Sequence, residues 1–281
     1  MIKKRIPITR VKIGIARILY TLVRSIYGKK TKNMVVKRNG ITYALDLSEG
    51  IDLSVFLFGT FQKHITRSSL ISIPHDATIL DIGGNFGVMA LQFAQMSPAG
   101  RVFSFEPTHY AVTKFRQNCA LNPTLGERIT LMQSFVSDCA SEDASLKAFS
   151  SWKVDGAAGE KHPVHRGSQK STQGIGAITL DSFCHRTGID RVDFIKIDTD
   201  GHEYQVLNGA RKCIGAFKPQ IIFEVGGYVM EEQGIEFSSY LDFFDSLGYK
   251  LFDAKTTRRI LAHNFDTLIP ALGTIDILAI P

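Results

Sequence analysis

The stretch Asp81-Ile-Gly-Gly-Asn-Phe-Gly87 confines this chain to a narrow set of folds. It follows the apolar run Thr78-Ile-Leu80, which reads as a buried strand, and leads into Val88–Phe93, which reads as a helix. A glycine-rich strand-to-helix turn sets backbone N–H groups at the positive end of a helix, close to whatever ligand lies there. A second acidic signal, Glu106, ends the next apolar run from Arg101 and is followed by Pro107. A carboxylate at that place can accept hydrogen bonds from both hydroxyls of a ribose. Together the two signals describe a pocket for a nucleoside-bearing ligand.

The spacing discriminates between ligands. A dinucleotide fingerprint is G-x-G-x-x-G, whereas here Gly83, Gly84 and Gly87 stand with Asp81 ahead and Asn85 inside. A carboxylate just before the turn repels a pyrophosphate but suits a ligand carrying an ammonium and a sulfonium. S-adenosyl-L-methionine carries both, so the expected cofactor is this one. An NAD-dependent oxidoreductase is disfavoured by Asp81 and Asn85. A non-catalytic scaffold is disfavoured by the acids and the lysine that accompany the turn.

From Thr78 onward, apolar runs alternate with helical patterns, the signature of a doubly wound, mostly parallel α/β sheet. The expected strands are Thr78–Ile82, Arg101–Phe105, Ile129–Val136, Phe194–Asp198, Gln220–Val225, Tyr249–Ala254 and Thr274–Ile280. Helices are expected near Phe86–Gln95, Tyr110–Leu121, Glu203–Cys213 and Phe237–Leu247. Before them, Met34–Leu47 reads as a hairpin turning at Asn39-Gly40, and Ile51–Leu70 as mixed helix. The segment Ser150–Gly176 breaks the rhythm and reads as a mobile loop or a short antiparallel excursion. Residues 1–70 are thus expected to form a basic extension with a hairpin, and residues 71–281 the catalytic domain.

Charge is distributed unevenly. Of the 33 Lys and Arg, twelve lie in the first 45 residues, where no acid occurs, leaving 21 against 27 Asp and Glu in the rest. A nucleic-acid enzyme spreads its cations around the active face, so a nucleic-acid substrate is not expected. Within the arm, Val11, Ile15, Ile18, Leu19, Leu22 and Ile26 follow helical spacing, with Arg10, Arg17 and Arg24 elsewhere on the helix. Such a helix packs on the domain, on a second subunit, or on an anionic membrane surface. Arg17 and Arg24 interrupt the apolar stretch and argue against a span, and no signal-peptide cleavage pattern follows. The expected location is cytoplasmic, peripheral to the inner membrane. Cys119, Cys139, Cys184 and Cys213 form no C-x-x-C pair and read as reduced thiols.

Ligands of open α/β sheets sit beyond the carboxyl ends of the strands. There Asp138, after the third strand, reads either as a partner for the adenine amino group or as a polar strand end. The fourth strand is denser: Lys196-Ile-Asp198-Thr-Asp200-Gly-His202-Glu203. Lys196 and Asp198 point to the same side by strand alternation. Some of the acids favour a helix N-terminus, but burying so many charges without a task is costly. The fifth strand adds Glu224.

These motifs, Leu80–Gly87, Phe105-Glu-Pro107, Leu180-Asp181, Lys196-Ile-Asp198, Gly201-His-Glu203, Val206-Leu-Asn-Gly209 and Phe223-Glu-Val225, resemble the FkbM family of S-adenosylmethionine-dependent methyltransferases. The resemblance covers roughly Thr42 to Leu251. It implies a class I methyltransferase fold, a Rossmann-like doubly wound sheet with an antiparallel last strand, and O-methylation of a hydroxyl on a sugar, glycan or glycolipid precursor. N- or O-methylation of a peptide or small natural product is the alternative. Two positions depart from the usual pattern: Asp200 stands where Glu is common before Gly201, and Gln62 where Glu often follows an aromatic residue. In this reading Asp198 is the base, with His202 second. Glu203 and Glu224 orient substrate or base, and Lys196 stabilises the alkoxide or anchors Asp198. A divalent metal on Asp198, Asp200 and Glu224 is chemically feasible, but none is expected. A homo-oligomer remains open.

Overall fold

The computed structural model describes residues 8–142, 148–150, 153–154, 168–269 and 273–281. Its strands are β1 Met34–Arg38, β2 Ile41–Leu45, β3 Thr78–Ile82, β4 Arg101–Phe105, β5 Ile129–Met132, β6 Phe135–Val136, β7 Ala148–Ser150, β8 Ser168–Lys170, β9 Ala177–Ile178, β10 Phe194–Ile197, β11 Gln220–Gly226, β12 Lys250–Asp253 and β13 Thr274–Ile280. Seven of them form one sheet in the order β12-β13-β11-β10-β3-β4-β5. Strands β11, β10, β3, β4 and β5 run parallel, and β13 lies antiparallel between β11 and β12. The chain's last strand is therefore the antiparallel one, as expected.

Period-2 alternation divides the sheet between two cores. Leu80, Ile82, Phe105, Ile195, Ile197 and Phe223 face one side, where helices Leu180–Thr187 and Phe237–Ser246 cover them. Ile79, Val102, Phe194, Ile222 and Leu278 face the other, packed with Phe93, Tyr43, Leu45, Leu53 and Val55. The hairpin and helix Gly50–Phe58 thus contribute Tyr43, Leu45, Leu53 and Val55 to the sheet's second core. Asn39 and Gly40 both take positive φ, the geometry of the two-residue turn read from the sequence. Asn118 on helix His109–Ala120 and Asn122 just beyond it accept from the Ala44 and Thr42 N–H groups, sewing the hairpin to the domain.

Several expected elements differ. The strand expected over Ile129–Val136 breaks after Met132, and β6 leaves the main sheet to pair with β9. Ser134 Oγ donates to the carbonyls of Phe135 and Gly176, turning the chain toward β9. The helix expected over Glu203–Cys213 is two helices, Glu203–Asn208 and Arg211–Phe217. A Cβ on Gly209 would stand 2.0 Å from the Ser137 carbonyl, and the Asp181 carboxylate accepts the N–H groups of Lys212 and Cys213, starting the second helix. Helix Gly50–Phe58 ends at Gly59, and only Lys63–Thr66 resumes before the sheet. Within Ser150–Gly176, β7 and β8 form an antiparallel pair; residues 151–152 and 155–167 lie outside the described residues. No helix among the described residues is long and apolar enough to cross a membrane. Cys184 and Cys213 are free thiols with sulfurs 3.6 Å apart.

A buried ionic cluster joins the N-terminal segment to the domain. Asp52, fully buried, meets the Lys114 ammonium and accepts the Asp46 N–H at 2.7 Å. Glu49 accepts from Tyr110 Oη at 2.7 Å and pairs with Lys153 at 2.8 Å. Burial pushes the Asp52 carboxyl up to about 7, with Lys114 restraining the rise and Glu49 adding to it. Unfolded, the group titrates near 3.8, so between those values the folded chain holds the extra proton and stability falls as pH rises. Relative to Asp52→Asn, the wild-type chain should lose roughly 2 kcal/mol from about pH 5 to pH 7. Paired chemical denaturation curves at both pH values check this; parallel behaviour of the two proteins would contradict it.

Candidate active site

Alternation also lines up one polar row. Ser104, Asp81 and Lys196 sit side by side on β4, β3 and β10, and Glu224 and Asp276 are opposite each other on β11 and β13. All of them take the alternate places to the first core's apolar residues, so they share the face that the N-terminal segment covers. Asp81 is fully buried; its Oδ2 accepts from Ser104 Oγ at 2.8 Å and its Oδ1 lies 3.7 Å from Lys196 Nζ. Lys196 Nζ is 3.2 Å from Asp198 Oδ2, at the strand's end. Burial alone would pull the Lys196 pKa down, but the carboxylates of Asp198 and Asp81 more than offset it and hold the ammonium above its ordinary range. Burial raises Asp81, with Lys196 and Ser104 opposing it.

Asp198 keeps 26% side-chain exposure. Gln62 Nε2 donates to the same Oδ2 at 3.0 Å, so the carboxylate is fixed from two sides through one oxygen, and Oδ1 makes no hydrogen bond among the described residues. Gln62 takes φ +47°, an arrangement that drops the following turn across the strand ends. Two residues on, His64 Nε2 meets Asp276 Oδ2 at 2.7 Å. Neither His64 nor Asp276 was found from the sequence. Asp276 had a signal, a carboxylate inside the apolar strand Thr274–Ile280; His64 had none.

The glycine turn packs tightly against this cluster. A Cβ at Gly83, which has φ +81°, would stand 1.8 Å from the Asp198 carbonyl, and one at Gly84 would stand 2.1 Å from Ser104 Oγ. A Cβ at Gly87 would stand 2.5 Å from the Phe115 ring. The turn and Asp198 are therefore in backbone contact, and the glycines are required by that approach. Asn85 N–H donates to Glu106 Oε2 at 2.9 Å, while Glu106 Oε1 accepts from the Thr108 N–H and Oγ1. Burial raises the Glu106 pKa against those hydrogen bonds. Pro107 stands half-buried next to it.

The other expected residues divide. Glu224 is half-buried, its Oε1 accepting from Thr274 Oγ1 at 2.6 Å; burial, then the Asp198 and Asp276 carboxylates, push its pKa well up. His202 is half-buried just ahead of helix Glu203–Asn208, four residues after Asp198, and burial lowers its pKa, favouring the neutral ring. Glu203 points elsewhere than expected: its Oε1 accepts from the Thr199 N–H and Oγ1 and from the Gly201 N–H, tying the Asp198–Gly201 loop and leaving that oxygen to the loop. Asp138 is exposed beyond β6, outside the main sheet, because the third strand ends early. The position just past β5 belongs to Gln133, whose Nε2 is 2.9 Å from His109 Nδ1. Among the described residues no three His, Cys, Asp or Glu side chains are placed to hold a metal ion.

A model of the methyltransferase FkbM domain matches residues 81–251, more than half of the chain. The chain belongs to the FkbM methyltransferase family. The matched span runs from the buried Asp81 to Leu251 on β12 and so includes the glycine turn, Glu106, Lys196, Asp198 and Glu224. The chain is 28% identical to 2-O-methyltransferase NoeI of Sinorhizobium fredii over 55% of its own length and 65% of that protein, and 25% identical to Methyltransferase 1 of Beauveria bassiana over 48% and 59%. It spans less than two thirds of either relative. Methyltransferase FkbM from Methylobacillus flagellatus superposes with a TM-score of 0.46 at 16% identity, covering 79% of this chain and 49% of that one.

The FkbM domain uses S-adenosyl-L-methionine, and the residues present fit it. Asp81 before the turn, Glu106 on the Asn85 N–H and Asp198 against Gly83 gather around it, and Asp81 Oδ1 is buried without a hydrogen-bond partner. Such an environment suits an ammonium and a sulfonium and repels a pyrophosphate. Glu106 Oε2 has accepted one hydrogen bond and retains a lone pair for a ribose hydroxyl.

Proposed function

We propose that this chain is an O-methyltransferase acting on a hydroxyl of a sugar, in a glycan or glycolipid precursor. The carrying observation is Asp198, a partly exposed carboxylate fixed by Lys196 and Gln62 and in backbone contact with Gly83 of the turn. S-adenosylmethionine, when bound, supplies a methyl group made electrophilic by its sulfonium. The turn, with Glu106 and Asn85, would hold the adenosyl part and set the sulfonium end toward Asp198. What remains for the protein is to place the acceptor hydroxyl behind the methyl and take its proton as the oxygen bonds.

Asp198 Oδ1 is the atom assigned to that proton. Lys196 and Gln62 position the carboxylate, and the neutral ring of His202 stands as second acceptor at the mouth. Glu224 and Asp200 offer hydrogen-bond acceptors for further acceptor hydroxyls. A mouth lined by carboxylates and an imidazole matches a polyhydroxylated acceptor, and the relative NoeI is named a 2-O-methyltransferase. A domain boundary at residue 70 belongs to the same proposal, with residues 71–281 supplying the cofactor turn and the base, and Gln62 of the N-terminal part positioning that base.

The test is incubation with methyl-labelled S-adenosylmethionine and fractionated extract of the source cells. Label in a carbohydrate or glycolipid fraction, released as an O-methyl sugar on hydrolysis, is the expected result. Label recovered only in peptides or small amine-bearing products would overturn the sugar assignment in favour of the alternative reading.

A further inference from the structure

Helix Ile8–Tyr27 touches the body along one side only. Tyr20 and Val23 are buried against the second core, and Tyr27 meets Phe56 edge-on at 5.8 Å. Ile15, Ile18, Leu22 and Ile26, spaced three, four and four apart, lie on another face and are 55%, 64%, 57% and 75% exposed. Four large aliphatic side chains therefore form a solvent-facing stripe about 16 Å long. Phe58, at the end of the helix Gly50–Phe58 that packs against this one, adds 67% exposure. Single exposed apolar residues need no explanation, but an aligned stripe marks a surface meant to be covered.

Charge chooses among the coverings. The first 45 residues contain twelve Lys and Arg and no Asp or Glu. Arg17, Arg24, Lys30, Lys32 and Lys37 are all exposed. Pairing two copies of this chain through the stripe would bring two unneutralised basic helices together and be opposed by repulsion. An anionic lipid surface accepts both features, since its acyl boundary takes the stripe and its headgroups attract the cations. Arg17 and Arg24 lie across the helix from the stripe, yet a helix about 10 Å wide keeps them within about one Debye length of the headgroups.

We infer that the exposed face of helix Ile8–Tyr27 lies on an anionic lipid surface and holds the domain at a membrane. The helix rests in the interface plane and does not cross it. This inference is independent of the acceptor proposed above, because it uses none of the site residues.

The test is co-flotation of the full chain with vesicles of phosphatidylcholine alone or mixed with phosphatidylserine. Recovery with the anionic vesicles only, falling as salt is raised, is expected. Ile18→Glu/Leu22→Glu changes two exposed side chains and should lower that recovery about tenfold or more, with an unchanged melting temperature showing that the fold is intact. Leu22→Glu alone serves if the double variant does not fold. Equal recovery with neutral and anionic vesicles, or wild-type recovery of the variants, would overturn the inference. So would a dimer in light scattering that the same substitutions disperse, since the stripe would then be a subunit interface.

Discussion

Asp198→Asn is expected to lower methyl transfer by about 10²–10⁴-fold, the range supplied by a positioned general base, while S-adenosylmethionine binds nearly as before. Asparagine keeps the size of the side chain and can still accept from Gln62 and Lys196, so the cluster retains its shape. What is lost is the proton acceptor at Oδ1, the carboxylate atom without a hydrogen bond among the described residues. The glycine turn and Glu106, which would hold the adenosyl part, make no contact through that atom. Calorimetric titration with cofactor and single-turnover transfer with labelled extract separate the two quantities. Wild-type transfer in the variant would remove Asp198 from the chemistry and move attention to His202. Loss of cofactor binding along with transfer would instead make Asp198 a cofactor residue.

Lys196→Met is expected to destabilise the fold by about 3–5 kcal/mol, the cost of leaving a buried charge without its partner. Lys196 is 2% exposed and stands between Asp81, which is fully buried, and Asp198. With the ammonium gone, Asp81 must take up a proton or remain charged in the interior, since Ser104 satisfies only one of its oxygens. The penalty should grow as pH rises, because protonating Asp81 becomes harder. A second substitution, Asp81→Asn in the Lys196→Met background, removes the uncompensated charge and should recover part of the loss. Denaturation of the two single variants and the double variant measures this coupling. Additive losses would show that Lys196 and Asp81 do not stabilise each other.

The elements read correctly from the sequence share a physical cause. Strands β3, β4, β10 and β13 are short apolar runs bounded by turn residues, and the hairpin turn Asn39-Gly40 is dictated by its own two residues. In each, local chemistry and the tertiary environment require the same conformation. The misplaced elements are those in which a distant group intervenes. Ser134 and β9 draw the chain out of the sheet after Met132, and the approach of Gly209 to Ser137 with capping by Asp181 divides one helical pattern in two.

Within the candidate site, residues adjacent in sequence to the glycine turn and the strand ends were legible, because ligands of such sheets gather at the strands' carboxyl edges. Lys196 and Asp198 were placed on one side by the two-residue period alone. The sequence had no means of showing that Gln62 and His64 descend from the N-terminal segment onto Asp198 and Asp276. Nor did it show that Glu203 turns back onto its own loop.

The order of charges, glycines and apolar runs by itself determined the doubly wound sheet, the glycine turn and the uneven distribution of charge along the chain, because each rests on contacts or periodicities within a few residues. Tertiary structure alone decided which carboxylate stays open to the cleft, which is locked, and which helix face is left bare. Those outcomes depend on which groups meet across more than a hundred residues of chain, as Gln62 and Asp198 do, and burial energy is assigned only when those elements pack together.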